Sequence, residues 1–273
     1  MSVSQFDMDR RNFLNGVAVA FGAAGIVAAG AASEAAADDG TTGNEGRVAI
    51  LFNGAACVGC RYCEAACKKA NGLDAEVAFN VGALDGTVYP KGLLPYEAVQ
   101  ASKTLAPVTK SDNAANRWLR VIQVGEGDGS KNVRHSCMHC GKCAEVCPSS
   151  ALSWRDDGIV TFDPSRCIGC KYCYQACPFD IPRFAEEAGD KTIRKCTMCA
   201  ERVDEGGEPA CVEACPAGAL KFGPWNDMAA AADAAVADAG SDACVYGKDE
   251  MGGMGVISVL PAGRKASGMP RVR

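Results

Sequence analysis

The sequence has few aromatic residues, two histidines and no cluster of basic residues. Phe, Trp and Tyr make up 7% of its 273 residues, so side chains alone would build a thin hydrophobic core. His135 and His139 are too few for a histidine-rich metal site. The formal net charge of −5 and the absence of a basic cluster exclude nucleic acid as the main partner, because phosphate binding requires clustered Lys and Arg.

The first 37 residues are typical of an export signal. The segment Asp9–Leu14 contains paired arginines followed by Phe-Leu, and an apolar run rich in Ala and Gly covers residues 16–32. This combination resembles a twin-arginine signal, with cleavage expected after Ala37 or, alternatively, after Ala31. A general secretory signal and an uncleaved anchor helix are the other interpretations, although the glycine-rich run is weakly apolar for a membrane span.

Export by the twin-arginine route would place the protein in the periplasm or at the outer face of the cytoplasmic membrane. The route suits a protein whose cofactor is inserted in the cytoplasm, because this translocase moves folded chains. Near the end of the sequence the longest apolar stretch is Val256–Leu260, which is far too short to cross a bilayer. We therefore expect a peripheral protein that only a partner holds at the membrane.

Seventeen cysteines dominate the sequence, and sixteen of them fall into four repeated motifs. The first three motifs share the spacing C-x2-C-x2-C-x3-C, which bacterial ferredoxins use to bind [4Fe-4S] clusters. The fourth motif is stretched into two separated pairs. The motifs are Cys57, Cys60, Cys63 and Cys67; Cys137, Cys140, Cys143 and Cys147; Cys167, Cys170, Cys173 and Cys177; and Cys196, Cys199, Cys211 and Cys215.

The spacing itself explains why these residues would bind iron–sulfur clusters. Cysteines three residues apart on a tight loop direct successive thiolates at three irons of one cluster, and the fourth begins a segment that leads to the neighbouring cluster. Disulfides at this spacing would be strained and ambiguous in their pairing. Zinc sites use two separated pairs, which only the fourth motif resembles. The sequence therefore predicts four [4Fe-4S] clusters.

The same cross-over rule predicts which motifs share clusters. The second and third motifs begin 30 residues apart, at Cys137 and Cys167, as in one two-cluster ferredoxin, so the first and fourth must pair around them. Cys244 is left over as a small buried or partly exposed thiol, and His139 lies between two ligands without being one. The predicted ligand groups are Cys57, Cys60, Cys63 and Cys215; Cys67, Cys196, Cys199 and Cys211; Cys137, Cys140, Cys143 and Cys177; and Cys147, Cys167, Cys170 and Cys173.

The predicted fold class is α+β, with two ferredoxin-like units that each bind two clusters, one inserted in the other. The outer unit comprises residues 47–71 and 190–223, and the inner unit comprises residues 135–189. Residues 72–134 form an insertion that covers the clusters, and residues 224–273 form a helix and a tail that docks on a partner. Predicted strands are Arg47–Phe52, Trp118–Val124, Gly158–Phe162, Ala217–Phe222 and Val256–Leu260, and a helix is predicted over Asn226–Ala239.

The chain resembles the family of four-cluster iron–sulfur (β) subunits of molybdopterin oxidoreductases and membrane-bound hydrogenases. Segments Cys177–Pro182 and Glu208–Cys211 are similar to formate dehydrogenase β subunits, while Cys215–Ala219 and the twin-arginine signal are similar to hydrogenase-2-type subunits. Those relatives end in a transmembrane helix that has no counterpart here, so we expect attachment through a separate membrane subunit. The second motif also lacks the extra residues, with a proline before the third cysteine, that are usual in the family.

The resemblance implies an electron-transfer subunit that is not an enzyme by itself. Electrons would pass between a catalytic molybdopterin or [NiFe] subunit and a quinone-reactive or cytochrome b subunit in the membrane. No nucleophile–base pair or phosphate-binding loop is recognisable in the sequence. Two alternatives remain open, namely a free exported polyferredoxin-type shuttle with the same clusters and a disulfide-stapled secreted module without iron.

Overall fold

The computed structural model describes residues 44–73, 117–125, 130–184 and 193–272, which include all seventeen cysteines. The predicted export signal and residues 74–116 of the predicted insertion lie outside the described residues. The strands are β1 (Val48–Asn53), β2 (Leu119–Val124), β3 (Lys131–Ser136), β4 (Leu152–Trp154), β5 (Val160–Phe162), β6 (Arg183–Phe184), β7 (Ile193–Arg194), β8 (Leu220–Pro224), β9 (Cys244–Tyr246) and β10 (Val256–Leu260). The helices are α1 (Tyr62–Ala70), α2 (Lys142–Glu145), α3 (Tyr172–Ala176), α4 (Ala200–Asp204), α5 (Ala210–Glu213), α6 (Trp225–Ala237) and α7 (Gly263–Ala266), with short 3-10 turns at Pro164–Arg166 and Glu250–Gly252.

A four-stranded sheet in the order β8–β1–β10–β9 joins the two ends of the described chain. The central strands β1 and β10 pair in parallel, while β8 and β9 pair antiparallel to them at the edges. Ile50 lies beside Val256 and Leu51 beside Ile257, so neighbouring residues of the two central strands share a face. Alternate residues of each strand therefore face opposite sides of the sheet.

The two faces of this sheet bury different neighbours. On one face, Leu51 and Ile257 pack against the alanine-rich helix α6, whose Trp225 is also buried. On the other face, Ile50 and Val256 belong to the same buried cluster as several cysteines of the four motifs. The sheet thus separates α6 from the cysteine loops and gives those loops a rigid apolar support.

Buried cysteines of the first, second and fourth motifs lie on the face of the sheet opposite α6, while Cys173 of the third motif belongs to a separate buried cluster. The helices of the motifs pack in pairs. Helix α1, from the first motif, packs against α5 of the fourth, and α2 packs against α3 of the second and third motifs. The β2–β3 hairpin packs against α1, where the carboxylate of Glu64 accepts a hydrogen bond of 2.7 Å from the backbone N–H of Val121. The described residues form a small mixed helix-and-strand fold.

Most predicted elements are present with shifted ends. The four strands predicted before β10 correspond to β1, β2, β5 and β8, with ends displaced by up to three residues. The predicted helix over Asn226–Ala239 begins one residue earlier, directly after Pro224, and ends at Ala237. Proline favours the start of a helix because its missing N–H has no partner there in any case. Strand and helix ends depend on such local details more than on periodicity.

Part of the tail that the sequence analysis assigned to docking on a partner is instead buried in this chain's own sheet. Strand β10 is fully buried, and it is a central strand of the sheet rather than an exposed segment. Just before it, Gly255 lies so close to the cysteine loops that a Cβ atom would be 2.8 Å from the Cβ of His139 and 3.0 Å from the Cε of Met198. Pairing between β1 and β10 is a contact between the two ends of the described chain, which local sequence patterns do not reveal.

We predict that Gly255→Ala destabilises the protein by roughly 1–3 kcal/mol, because the added methyl group overpacks the junction between β10 and two cysteine loops. Gly223→Ala in β8 is the matched control, since a Cβ there would be 3.5 Å from the flexible end of Met228. The measurement is the midpoint of denaturant unfolding of the two variants under anaerobic conditions. Equal midpoints would contradict the close approach of Gly255 to the loops.

Candidate metal centres

The first three cysteine loops repeat one unusual backbone conformation. In each loop the residues immediately before and after the second cysteine have left-handed φ angles between +50° and +81°. Alternating right- and left-handed residues turn successive N–H groups into one concavity, an arrangement found at phosphate and iron–sulfur sites. The residues are Gly59 and Arg61, His139 and Gly141, and Gly169 and Lys171.

Three of these left-handed residues are not glycine, which indicates local strain. A residue with a Cβ atom in this conformation costs about 1–2 kcal/mol. Arg61, His139 and Lys171 adopt it, and such strain clusters at functional sites. Glycine at the other three positions was a sequence signal for the left-handed conformation. At Arg61, His139 and Lys171 the residue type gave no such signal.

Backbone N–H groups in these loops point at the cysteine sulfurs. The N–H of His139 donates to Sγ of Cys137 at 3.4 Å, and the N–H of Met198 donates to Sγ of Cys196 at 3.3 Å. Burial raises the pKa of Cys57, and the N–H of Gly59 opposes this rise. In each case the donor lies two residues after the cysteine, so the loop favours a charged sulfur at that position.

The fourth motif departs from the repeat because no cysteine stands three residues after Cys199. Met198 and Cys199 are consecutive left-handed residues, and α4 follows at Ala200. The remaining cysteines of this motif, Cys211 and Cys215, come from α5 and the turn after it. The helix pair α1–α5 brings them towards the first motif.

The predicted ligand groups divide the sixteen motif cysteines into four sets. Set A is Cys57, Cys60, Cys63 and Cys215; set B is Cys67, Cys196, Cys199 and Cys211; set C is Cys137, Cys140, Cys143 and Cys177; and set D is Cys147, Cys167, Cys170 and Cys173.

The structure brings together all four cysteines of set A and all four of set C. Set A lines an apolar pocket with Phe52, Val121 and Leu220, and set C lines another with Phe179 and Ile181. The spaces are about 320 and 330 Å³, including the solvent at their openings. Both pockets combine four soft thiol donors with apolar walls, which is the donor chemistry that iron–sulfur clusters require. Ligation itself stays a prediction.

Electrostatic contacts between thiols connect set B and most of set D. Burial raises the pKa of Cys67, and repulsion from the other three thiols of set B raises it further. In set D, burial raises the pKa of Cys173 to about 12, with contributions from Cys170 and Cys167. The fourth member, Cys147, lies near Cys143 of set C, so the structure joins three of the four set D cysteines directly.

Burial keeps most of these thiols protonated until metal binds. It raises the pKa to about 12 at Cys57 and Cys211 and to about 11 at Cys140. Cys147 is the exception, because hydrogen bonds from backbone N–H groups and from Ser149 together outweigh burial and lower its pKa. Thiolates are the ligands of iron, so filling these sites must release protons.

Electrostatic interactions between thiols of different sets link the four sets into one row. Cys63 of set A interacts with Cys211 of set B, Cys137 of set C with Cys196 of set B, and Cys173 of set D with Cys143 of set C. The order along the row is therefore A, B, C and D. Sets A, B and C each contain at least two buried cysteines and none that is exposed, whereas set D contains the exposed Cys170.

Cys244 and His139 are the two candidate residues to which the sequence assigns no ligand role, and their surroundings differ from those of the four sets. Cys244 lies in β9 opposite Leu260, and burial raises its pKa. The side chain of His139 is fully buried, and its Nδ1 accepts a hydrogen bond of 3.1 Å from the N–H of Val160. Burial lowers the pKa of His139 far below its usual value, so the ring is neutral. Its observed hydrogen bond to sulfur comes from its backbone rather than its ring.

Sequence reasoning missed the buried charges around the sets. Glu64 is 1% exposed and accepts hydrogen bonds of 2.8 and 3.0 Å from Arg61. Lys195 is 2% exposed and donates to the carbonyl oxygens of Val160 and Cys196 at 2.8 and 2.9 Å. A charged residue next to a cysteine motif was the available signal, but most such residues are solvated.

Some kinds of site were not found within the described ranges. No disulfide joins any of the seventeen cysteines there. In the same residues, no three His, Cys, Asp or Glu side chains converge on the position of a single metal ion. No helix in this part of the chain is long and apolar enough to span a membrane.

The repeated thiol loops define the class of this protein, and the comparisons with known proteins agree. Two models of 4Fe-4S dicluster domains match residues 54–151 and 131–225. Two such domains and seventeen cysteines fit four [4Fe-4S] clusters, as the sequence predicted. The protein is therefore an iron–sulfur protein of the dicluster type.

Individual relatives narrow the class to one family. The chain is 36% identical over 221 residues to the iron–sulfur subunit of the nitrate-inducible formate dehydrogenase of Escherichia coli, covering 78% of this chain and 68% of the relative. It is 34% identical over 225 residues to the formate dehydrogenase iron–sulfur subunit of Haemophilus influenzae, covering 78% and 64%. A probable anaerobic dimethyl sulfoxide reductase chain of Escherichia coli is 36% identical over 186 residues, covering 66% and 74%. The chain belongs to the family of formate dehydrogenase-like iron–sulfur (β) subunits, which confirms the resemblance.

We predict that Glu64→Gln lowers the free energy of unfolding by roughly 3–5 kcal/mol, because it removes the carboxylate from a buried ion pair that also ties α1 to β2. Glu145→Gln is the control, since it breaks the exposed Lys142–Glu145 pair, also three residues apart and 2.8 Å long. Surface pairs contribute little, so this variant should unfold like the parent protein. Denaturant unfolding of both variants is the measurement, and a Glu64→Gln midpoint equal to that of Glu145→Gln would contradict the role of the buried pair.

Proposed function

We propose that this protein is the electron-relay subunit of an exported oxidoreductase complex and binds four [4Fe-4S] clusters in a row. The observation that carries the proposal is the consecutive arrangement of sets A, B, C and D, together with two pockets that each bring four cysteines together. When bound, such clusters accept and donate single electrons. Membership of the formate dehydrogenase-like family supports this role.

In this proposal each set holds one cluster, and the last cysteine of each ferredoxin-type motif belongs to a neighbouring set. Cys67 lies among the thiols of the fourth motif, and Cys215 lies in the pocket of the first, which favours this exchange. Cys177 of the third motif lines the pocket of the second in the same way. The inner unit of residues 135–189, nested within the outer unit of residues 47–71 and 190–223, follows from these exchanges.

The chain's own residues supply burial, N–H donors and positive charge to the four sites. Apolar side chains line the pockets of sets A and C, and loop N–H groups stabilise charge on the sulfurs. At set D the surroundings are open, because Cys170 is exposed and Ile168 and Tyr172 are 62% and 54% exposed. We infer that electrons enter or leave the row at this end, where another redox group can approach.

The proposed partners are a catalytic subunit with molybdopterin or a [NiFe] centre and a quinone-reactive or cytochrome b subunit in the membrane. The names of the formate dehydrogenase and dimethyl sulfoxide reductase relatives favour the molybdopterin type. Export by the twin-arginine signal would place the complex at the outer face of the cytoplasmic membrane, with this chain bound peripherally. A free polyferredoxin-type shuttle is the alternative and would have the same clusters.

We predict that Cys215→Ser lowers the iron content from about sixteen to about twelve atoms per chain, because set A loses its cluster. The double variant Cys57→Ser/Cys215→Ser should also retain about twelve, since both residues hold one cluster, whereas Cys57→Ser/Cys67→Ser should retain about eight. Cys244→Ser is the control and should keep about sixteen. Iron is determined on anaerobically purified protein. A Cys57→Ser/Cys215→Ser protein with about eight irons would show that the exchange between motifs is wrong.

Metal analysis of the complex, purified anaerobically through a tag on this chain, tests the function itself. We expect about sixteen irons per copy together with molybdenum or tungsten in a co-purifying subunit. Nickel in place of these metals would identify a hydrogenase partner, and iron without a partner would favour the free shuttle. Iron-free protein would overturn the proposal.

A further inference from the structure

Arg134 is a buried cation that lies against set B. It belongs to β3, three residues before Cys137, and is 2% exposed. Burial raises the pKa of Cys211, and the charge and hydrogen-bonding capacity of the Arg134 guanidinium oppose this rise. The same charge opposes the effect of burial on Cys67. Arg134 therefore faces two cysteines that come from different motifs.

The guanidinium of Arg134 lacks the partners that a buried cation requires. Among the described residues, none of its three nitrogens makes a well-aligned hydrogen bond, and its interaction with the thiol of Cys211 combines charge with a weak hydrogen-bonding contribution. A buried charge without hydrogen bonds or a counter-charge is strongly unfavourable. The arrangement indicates that negative charge is bound beside Arg134 in the functional protein.

Other buried cations of the fold are satisfied in ordinary ways. Lys195 donates two hydrogen bonds to carbonyl oxygens, and Arg61 pairs with Glu64. Arg120, on the strand paired with β3, forms a hydrogen bond of 2.8 Å with Nδ1 of His135. Burial of an arginine in this hairpin is therefore compatible with normal partners, and the missing partners of Arg134 set it apart from these three.

We propose that Arg134 is a tuning residue of set B, whose positive charge and N–H groups serve the cluster held there and raise its reduction potential. This inference rests on the proposed function, because it requires a cluster in set B. An iron–sulfur cluster with four thiolate ligands is negatively charged and becomes more so on reduction. A nearby cation in a low-dielectric interior therefore stabilises the reduced form.

The consequence lies in the position of set B within the row. Set B lies between sets A and C, away from the exposed end at set D. A raised potential there favours residence of the electron in the middle of the row. Arg134 faces two cysteines of set B, and its charge also reaches His139 in the set C loop, so its removal should change the set B potential most.

The experiment is a reductive titration with dithionite, followed by electron paramagnetic resonance, on the anaerobically purified full chain. The signal of set B is identified as the one that disappears in Cys211→Ser. In Arg134→Met this signal should become harder to reduce, with the ratio of reduced to oxidised cluster falling at least tenfold at a fixed potential, equivalent to 59 mV. Arg134→Lys keeps the charge and should restore most of the shift.

The matched control is Arg120→Met, which also removes a buried arginine from the β2–β3 hairpin. It should leave all four potentials unchanged even if it lowers stability. A set B potential that is unchanged in Arg134→Met, or a shift shared equally by all four clusters, would overturn the inference. The same holds if Arg134→Lys shifts the potential as much as Arg134→Met does.

Loss of the set B cluster in the Arg134 variants would also test the inference. If Arg134→Met loses the set B cluster while Arg134→Lys retains it, the positive charge is required at this site and the inference stands. Loss in both variants would show that side-chain shape rather than charge matters, which overturns it. Iron-free parent protein would instead overturn the proposed function, so the two failures are distinguishable.

Discussion

The convergence of thiols in a dry interior is the constraint on which the rest of this structure depends. Each cysteine sulfur must carry negative charge when it binds iron, yet most of these sulfurs are buried, and burial alone raises their pKa. The loops meet this requirement with left-handed residues that turn backbone N–H groups towards sulfur. Strain at residues such as Arg61 and His139 is retained because the surrounding structure holds the loops in place.

The central sheet provides that support from a part of the chain that carries no cluster motif. Strand β10 pairs with β1 at the centre of the sheet. Gly255, just before β10, allows the backbone to approach the loops at His139 and Met198. On the opposite face, α6 closes the sheet with small alanine side chains. Few aromatic residues are therefore needed, because cysteines of the first, second and fourth motifs share one buried cluster with the sheet, and Cys143 and Cys173 help to form a second cluster.

Charge is distributed unevenly around the four cysteine sets. Glu64 lies close to set A but is paired with Arg61, so the pair adds little net charge there. Around sets B and C the buried charges are positive, from Arg134 and Lys195. Set D is the open end, with Cys170 exposed. For a protein whose proposed role is to pass electrons along a row, this distribution provides a physical means to give the interior sites different potentials from the ends.

The sequence by itself determined the cofactor class and the family, because cysteine spacing is a local property that a cluster requires directly. It also located β1, β2, β5, β8 and α6 to within a few residues, since these depend on local periodicity and on Pro224. The central position of β10, the approach of Gly255 and the buried cation Arg134 were decided only by the tertiary structure. Each of these depends on contacts between residues far apart in the chain, and no pattern within a single segment encodes such contacts.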